Sequence, residues 1–412
     1  MKIAIIGGGG AGMTAAHLLD KVHAVTVFEK RPVLGGNIRT LNKNIACASL
    51  DKRIILDNGV IEFQRDYFPN FQKLMHNLQV PLKETPISSE LFLDDRHYYK
   101  SIGTIRYGCK TLREKIIEGL KLTPIMFSYL CFLVRVAIAS EDSLHNLPIS
   151  DYLANSIGAR WLKMLLMYAY SMPYKTIADF PAEIGIPLLN HSGISTQWNR
   201  IDGGVYTYIE KILLGFRGSI HCAANIVGIT RDSTGVKINL ANGECQHFDK
   251  IIFATTPNQV LSLLQDPTEN EIRRFQAWQA NVINTVIHTD TSIYKHFGVS
   301  YFCEFDLFQK GTGDAGYNAY LDRLCGIDSQ KYTHFSLAYN LEQQIAPEKI
   351  IDVQQHITPS YNVESIRYRQ EVLASNGENN TYHAGAYLFD GLHEGAVTSG
   401  FEVSKLLGGI GV

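Results

Sequence analysis

Gly7, Gly9 and Gly12 form a G-x-G-x-x-G array directly after the short apolar run Lys2 to Ile6. At this spacing Gly7 makes a tight turn, and Gly9, with Gly10 and Ala11 beside it, lets a pyrophosphate approach the backbone. Gly12 allows a helix to pack closely on a strand, while the helix N-terminus supplies amide donors and partial positive charge. Glu29, 22 residues beyond Gly7, ends a second apolar run and is followed by Lys30. A carboxylate there accepts from adenosine-ribose hydroxyls and disfavours a 2′-phosphate, so the expected ligand is a dinucleotide other than NADP.

FAD and NAD share that pattern, and later glycines separate them. Gly35-Gly36-Asn37 is followed by Ile38, Arg39 and Thr40. A second backbone approach so close to the first suits a long cofactor crossing a sheet edge. Near the other end, Ala384-Gly385-Ala386 closes a short strand. The run from Gly391 through Leu392, His393, Glu394, Gly395 and Ala396 opens a final helix with small residues. A helix N-terminus there suits the flavin O2 and N1, where negative charge builds on reduction. The expected cofactor is FAD.

These residues need a scaffold. Lys2 to Ile6, Ala11 to Asp20 and Ala24 to Phe28 read as β-α-β in under 30 residues. From Ser219 to Phe253 a β-rich block with an Asn242-Gly243 turn predicts a small antiparallel layer that returns to a parallel sheet at Ile251 to Ala254. Residues 64–194 are mostly helical in pattern, residues 266–365 mix strands and loops, and a last helix runs from about Glu394 to Leu407. The fold class is therefore α/β (α+β), with a Rossmann-like FAD-binding domain formed by 1–80, 195–265 and 366–412. Interleaved with it is a helix-rich substrate-binding domain, 81–194 and 266–365.

Composition narrows the function. The 412 residues carry 38 Lys plus Arg against 40 Asp plus Glu, a net −2 without a block of like charges, which argues against a nucleic-acid partner. Seven dispersed cysteines, none in a C-x-x-C pair, read as reduced thiols in a cytoplasmic protein. Four consecutive glycines from Gly7 to Gly10 interrupt the apolar core that a signal peptide would need. Residues 122–139 are nearly long enough to span a bilayer, but Pro124 and Arg135 favour a buried or interface-lying helix, so peripheral membrane or lipid contact stays open. No H-E-x-x-H and no G-x-S-x-G occurs, so neither a catalytic metal nor an α/β-hydrolase site is expected.

The chain resembles the flavin-containing amine oxidase superfamily, and within it a bacterial branch of NAD/FAD-binding oxidoreductases. The resemblance is carried by Asp57-Asn58-Gly59-Val60-Ile61-Glu62-Phe63-Gln64, Tyr67-Phe68-Pro69-Asn70 and Gly203-Gly204 with Tyr208. Residues 248–264, Ile287 to Asp290 and His393-Glu394-Gly395 add to it. It implies that Asn58, Gly59 and Val60 line the flavin ring, that Ile226 meets adenine through its backbone, and that the amides near His393 face the pyrimidine. Two departures count against amine oxidation. Leu392 stands where amine oxidases usually place a cage tyrosine, and Ala386 where an acid often follows Ala-Gly. No cysteine lies nearby, so the FAD is expected to be non-covalent.

Gln64, Tyr387 and His393 are the candidate catalytic side chains. The His393 ring would be a general base, yet its backbone is the stronger reading. Tyr387 and Phe389 project into substrate space or belong to the core. His288 with Asp290 reads as a structural pair before a base with its orienting acid. Helical stretches 71–80, 125–139 and 161–172 are expected to wall an apolar space. The resulting expectation is an FAD enzyme that takes a hydride from a substrate C–H bond onto flavin N5, with an apolar or fatty-acyl-like small molecule as substrate. The alternatives are an amine or amino-acid oxidase, a flavin-dependent isomerase, and a non-catalytic flavin-bearing binding protein.

Overall fold

The computed structural model describes all residues except 95, 140–143, 154–155, 192–195, 300, 312, 329–330 and 411–412. Seven helices are used below: α1 (Gly10–Leu19), α2 (Pro69–Asn77), α3 (Leu112–Lys121), α4 (Thr123–Ile138), α5 (Ile157–Tyr170), α6 (Tyr206–Gly215) and α7 (His393–Leu406).

Five parallel strands form the first sheet in the order Ser219–His221, Ala24–Phe28, Lys2–Ile6, Lys250–Phe253, Thr381–His383. The alternation in the strand Lys2–Ile6 divides its two faces. Ile3 and Ile5 join Met13 and Ala16 of α1 and Val397 and Phe401 of α7 in one core. Ala4 and Ile6 face a second core shared with Ile229 and Ile238 of a three-stranded antiparallel layer. Both faces being covered, the strand reads as an almost continuous apolar run. The glycines let α1 and α7 approach closely: a Cβ on Gly400 would meet Thr14 Cβ at 2.8 Å.

The second sheet has seven strands, in the order Ile350–Pro359, Ala280–His288, Ser336–Tyr339, Ala315–Tyr320, Phe305–Gln309, Ser89–Leu93, Arg96–Lys100. Its pairs are antiparallel except Phe305–Gln309 with Ser89–Leu93. Two short antiparallel pairings, Ile38–Leu41 with Leu56–Gly59 and Glu62–Gln64 with Trp198–Ile201, lead from the second glycine pair toward this sheet.

One expectation is corrected and one is narrowed. The stretch 64–194 is not mostly helical near its start: Leu82–Thr85, Ser89–Leu93 and Arg96–Lys100 are strands, and the last two pair with each other after Asp94 at φ 54°. Periodicity hid this because Ser89–Leu93 is buried along its whole length, Ser89 and Glu90 included, and so lacks the apolar–polar alternation of a half-exposed strand. The segment 122–139, expected as a buried or interface-lying helix, is a helix that is only partly buried. It forms α4, bent by 44° from α3, with Ile125 and Phe132 buried and most other large apolar side chains exposed or half-exposed. Among the described residues no single helix is long and apolar enough to cross a membrane.

Candidate cofactor and substrate cavity

The first strand delivers Gly7 to the sheet edge, where its amide donates to the Phe28 carbonyl (2.8 Å) while the Ala254 amide donates to Ile6 (2.8 Å). A Cβ on Gly12 would collide with the Gly7 carbonyl oxygen, so only glycine lets α1 begin this close to the strand. Gly9 differs, because its missing side chain faces open space apart from Gly36, 3.5 Å away. Gly36 has φ +60°, and a Cβ there would come within 2.9 Å of Gly9 Cα. The two glycine motifs, 27 residues apart in sequence, thus meet backbone to backbone. Glu29 closes this end: its Oε2 accepts from the Gly8 amide (2.8 Å) and its Oε1 from the Arg31 amide (2.9 Å).

From here one cavity of about 530 Å³ runs through the molecule. Its lining includes Gly7, Gly9, Gly10, Ala11, Glu29, Lys30, Gly35, Gly36, Asn37 and Ile226 at one end. Gly59, Val60, Gly385, Ala386, Tyr387, Leu392, His393 and Ala396 line it farther on, as does Gln64. It is therefore bordered by the starts of two helices, α1 and α7.

Gly12 packs against Gly7, as its spacing predicts, and does not line the cavity, while two further expected contacts fall elsewhere. Asn58 is fully buried, its Oδ1 accepting from Thr285 Oγ1 (2.5 Å) and facing His356 Nε2 at 3.0 Å, so it ties the strand Leu56–Gly59 to the seven-stranded sheet. The Glu394 carboxylate turns away to accept from the Asn70 and Phe71 amides (2.9 and 2.8 Å), capping the first turn of α2.

His393 starts α7, but its ring is half-buried and packs edge-on against Phe71, and the ring Nε2 lies 3.1 Å from the Tyr208 hydroxyl. Burial pushes its pKa down to about 4, leaving a neutral ring and the backbone as the group presented at the helix start. His288 and Asp290 are structural. The Asp290 amide donates to His288 Nδ1 (3.1 Å), His288 Nε2 meets Asn318 Oδ1 (2.8 Å), and the Asp290 carboxylate accepts from Ser292 and Ala346 amides.

The substrate-side wall holds one acid to which the sequence assigned no role. Glu62 sits at the cavity and its carboxylate accepts a short hydrogen bond from the Tyr168 hydroxyl at the end of α5. Burial raises its pKa to about 7, against the pull of Tyr168. Tyr317, Trp198, Leu188, Ile283 and Leu337 complete an aromatic and aliphatic surround. Tyr168 stacks with Phe305 at 4.4 Å between ring centroids and meets Tyr317 edge-on at 4.8 Å. Of the three expected helical walls only 161–172 contributes, through Tyr168, Ala169, Tyr170 and Ser171; neither α2 nor α4 reaches the cavity. Glu62 was legible only as an acid inside the apolar sequence Val60-Ile61-Glu62-Phe63, a pattern that does not say which face the acid takes.

The residues present fit a flavin dinucleotide. Backbone cradles lie at both helix starts, a carboxylate stands at the second strand end, and two buried polar atoms of the wall, Thr255 Oγ1 and Tyr387 Oη, lack a hydrogen-bond partner among the described residues. A buried polar group left unpaired costs roughly 1–3 kcal/mol, which a ligand's polar atoms would recover.

Comparison with known proteins agrees with this construction. Residues 5–78 match the NAD(P)-binding Rossmann-like domain family. No curated protein matches by sequence. Among solved structures, a CLA-producing fatty acid isomerase from P. acnes is similar at TM-score 0.69 and 16% identity, over 98% of this chain and 97% of that one. Cyclohexylamine oxidase from Brevibacterium oxydans IH-35A gives 0.69 at 12% identity, over 99% of both chains. Putrescine oxidase bound to putrescine gives 0.67 at 13%, also over 99% of both. The chain thus has the fold of the flavin-containing amine oxidase superfamily, built on a Rossmann-like dinucleotide-binding domain.

Proposed function

We propose that this protein is an FAD-dependent oxidoreductase that oxidises a C–H bond of an apolar, acyl-like small molecule, with the FAD held non-covalently. The observation that carries the reading is the single cavity that borders both helix starts and ends against the Tyr168, Tyr317, Leu337 and Leu188 wall. When bound, the flavin supplies a hydride acceptor at N5. The chain supplies the rest. Amides at the start of α1 hold the pyrophosphate, and Glu29 holds the ribose. The start of α7 places partial positive charge where the pyrimidine gains electrons. Val60 and Gly59 sit beside the ring site, and the apolar wall excludes water from the reacting bond. The described cavity lining contains no cysteine, which supports non-covalent attachment.

The fatty acid isomerase of the same fold supports an acyl substrate and keeps an isomerase reading in view, in which product forms without oxygen uptake. A second reading, an amine substrate, is favoured by Glu62, a carboxyl on the substrate-side wall able to pair with an ammonium group. The deciding experiment is anaerobic titration of the purified holoprotein with a panel of fatty acids and simple amines. Bleaching of the flavin band by a fatty acid is the expected result. Bleaching by amines alone overturns the acyl assignment, and a flavin that no compound reduces, with no isomerised product, overturns the enzyme assignment.

A further inference from the structure

The helices α3 and α4 present an apolar face that the described fold leaves uncovered. In α3, Leu112, Ile116 and Leu120 recur every four residues, and not one residue of this helix is buried. In α4, Phe127, Leu130, Val134 and Ile138 form the matching stripe, opposite the buried Ile125 and Phe132 that seat the helix on α5. Exposure is large for such side chains: Leu120 is 68% exposed, Phe127 66% and Ile138 79%. Solvating a contiguous patch of this kind is unfavourable, and patches of this kind mark interaction surfaces.

Charge says what the partner is. Residues 102–138 hold six Lys or Arg against two Glu, whereas the whole chain is net −2. Arg106, Lys110, Arg113, Lys121 and Arg135 are all exposed. Both glutamates are engaged locally, Glu114 in the capping box with Thr111 and Glu118 with Lys121 (2.8 Å). An apolar face set among an excess of exposed cations matches an anionic lipid surface, with the long basic side chains reaching up to headgroups. At ten and sixteen residues, separated by a 44° bend, the two helices suit lying in the interface; a straight span needs about twenty.

We infer that α3 and α4 dock this protein on an anionic membrane surface, the apolar stripe entering the headgroup boundary. Since α4 rests on α5, whose last turn walls the cavity, the docked face and the substrate space share a supporting helix. The inference stands on the surface alone and holds whatever the cavity oxidises.

The test is sedimentation of the flavin-loaded protein with vesicles of phosphatidylcholine alone or with 30% phosphatidylglycerol, a mixture at roughly the level where surface charge recruits basic proteins. The expected result is binding to the anionic vesicles that weakens in high salt. The double substitution Leu120→Glu with Phe127→Glu should lower the partition coefficient at least tenfold while leaving flavin absorbance and far-ultraviolet circular dichroism unchanged. Lys110→Gln and Arg113→Gln should each lower it about fivefold, equivalent to ~1 kcal/mol per basic side chain near such a surface. Absence of binding to both vesicles overturns the inference. So does a wild-type dimer that the Leu120→Glu, Phe127→Glu pair dissociates while vesicle binding is absent, because a second copy then covers the face. Should the double variant fail to fold, the salt and lipid series on the wild-type protein decides.

Discussion

The Tyr168 hydroxyl donates to the Glu62 carboxylate on the wall of the cavity, joining the last turn of α5 to the strand that follows Gly59. Burial lifts the Glu62 pKa from 4.5 to about 7. The native state therefore favours the neutral acid: its contribution is complete below pH 4.5 and is lost as pH rises through 7. Glu62→Gln should flatten the loss of stability between pH 5 and 8 by roughly 1–3 kcal/mol, read from urea unfolding midpoints at stepped pH. The same variant should remove an ionisation near pH 7 from the rate of anaerobic flavin reduction. Profiles identical to wild type would show that Glu62 is not the titrating group.

Two glycines of one motif should fail differently. Gly9 has φ −82° and faces the cavity, so Gly9→Val is expected to fold normally and lose FAD. Gly12 faces the Gly7 carbonyl, so Gly12→Val is expected to lose several degrees of Tm or not to fold. Absorbance at the flavin band together with circular dichroism separates the outcomes. A yellow Gly9→Val protein with full occupancy would refute the pyrophosphate placement.

Glu29 holds two backbone amides and has lone pairs remaining for a ribose. Replacing it with alanine should weaken FAD binding to the apoprotein by about tenfold to a hundredfold, the equivalent of ~1.5–3 kcal/mol for hydrogen bonds to a charged group. Fluorescence quenching of added FAD measures this, and unchanged affinity would remove Glu29 from the site.

His383 offers an acid-limb test remote from substrate chemistry. It is buried, stacks on Phe253 and lies beside Phe275, and burial lowers its pKa to about 4 from an ordinary 6.5. Because the folded value is depressed, its contribution is present above pH 6.5 and is lost as pH falls through 4. His383→Phe, which keeps the ring packing, should reduce the stability loss between pH 6.5 and 4 by roughly 1–3 kcal/mol. An acid limb as steep as wild type would place that sensitivity on other groups, with His356 and His393, both also near 4, next in line.

The dinucleotide end of the molecule was legible from local spacing. Gly7, Gly9 and Gly12 do their work within one turn and one helix start, and Glu29 ends the very next strand, so short-range periodicity fixes their relation. The antiparallel layer around Asn242 and Gly243 and the start of α7 were legible for the same reason, each being a turn or cap chemistry that acts over a few residues. The sequence by itself therefore determined the fold class, the glycines where backbone comes close, and the kind of cofactor those approaches suit.

Tertiary structure decided which side chains face the substrate. Glu62 and Tyr168 are 106 residues apart, and no periodicity links a three-residue strand to the last turn of a distant helix. Glu394 and Asn58 were read as cofactor contacts because they neighbour true cavity residues in sequence. Yet successive positions on a helix or strand point to different faces, and theirs cap α2 and tie Gly59's strand to Thr285. The same rule governed α4: composition marked residues 122–139 as apolar, but only packing against α5 showed which stripe is left facing outward.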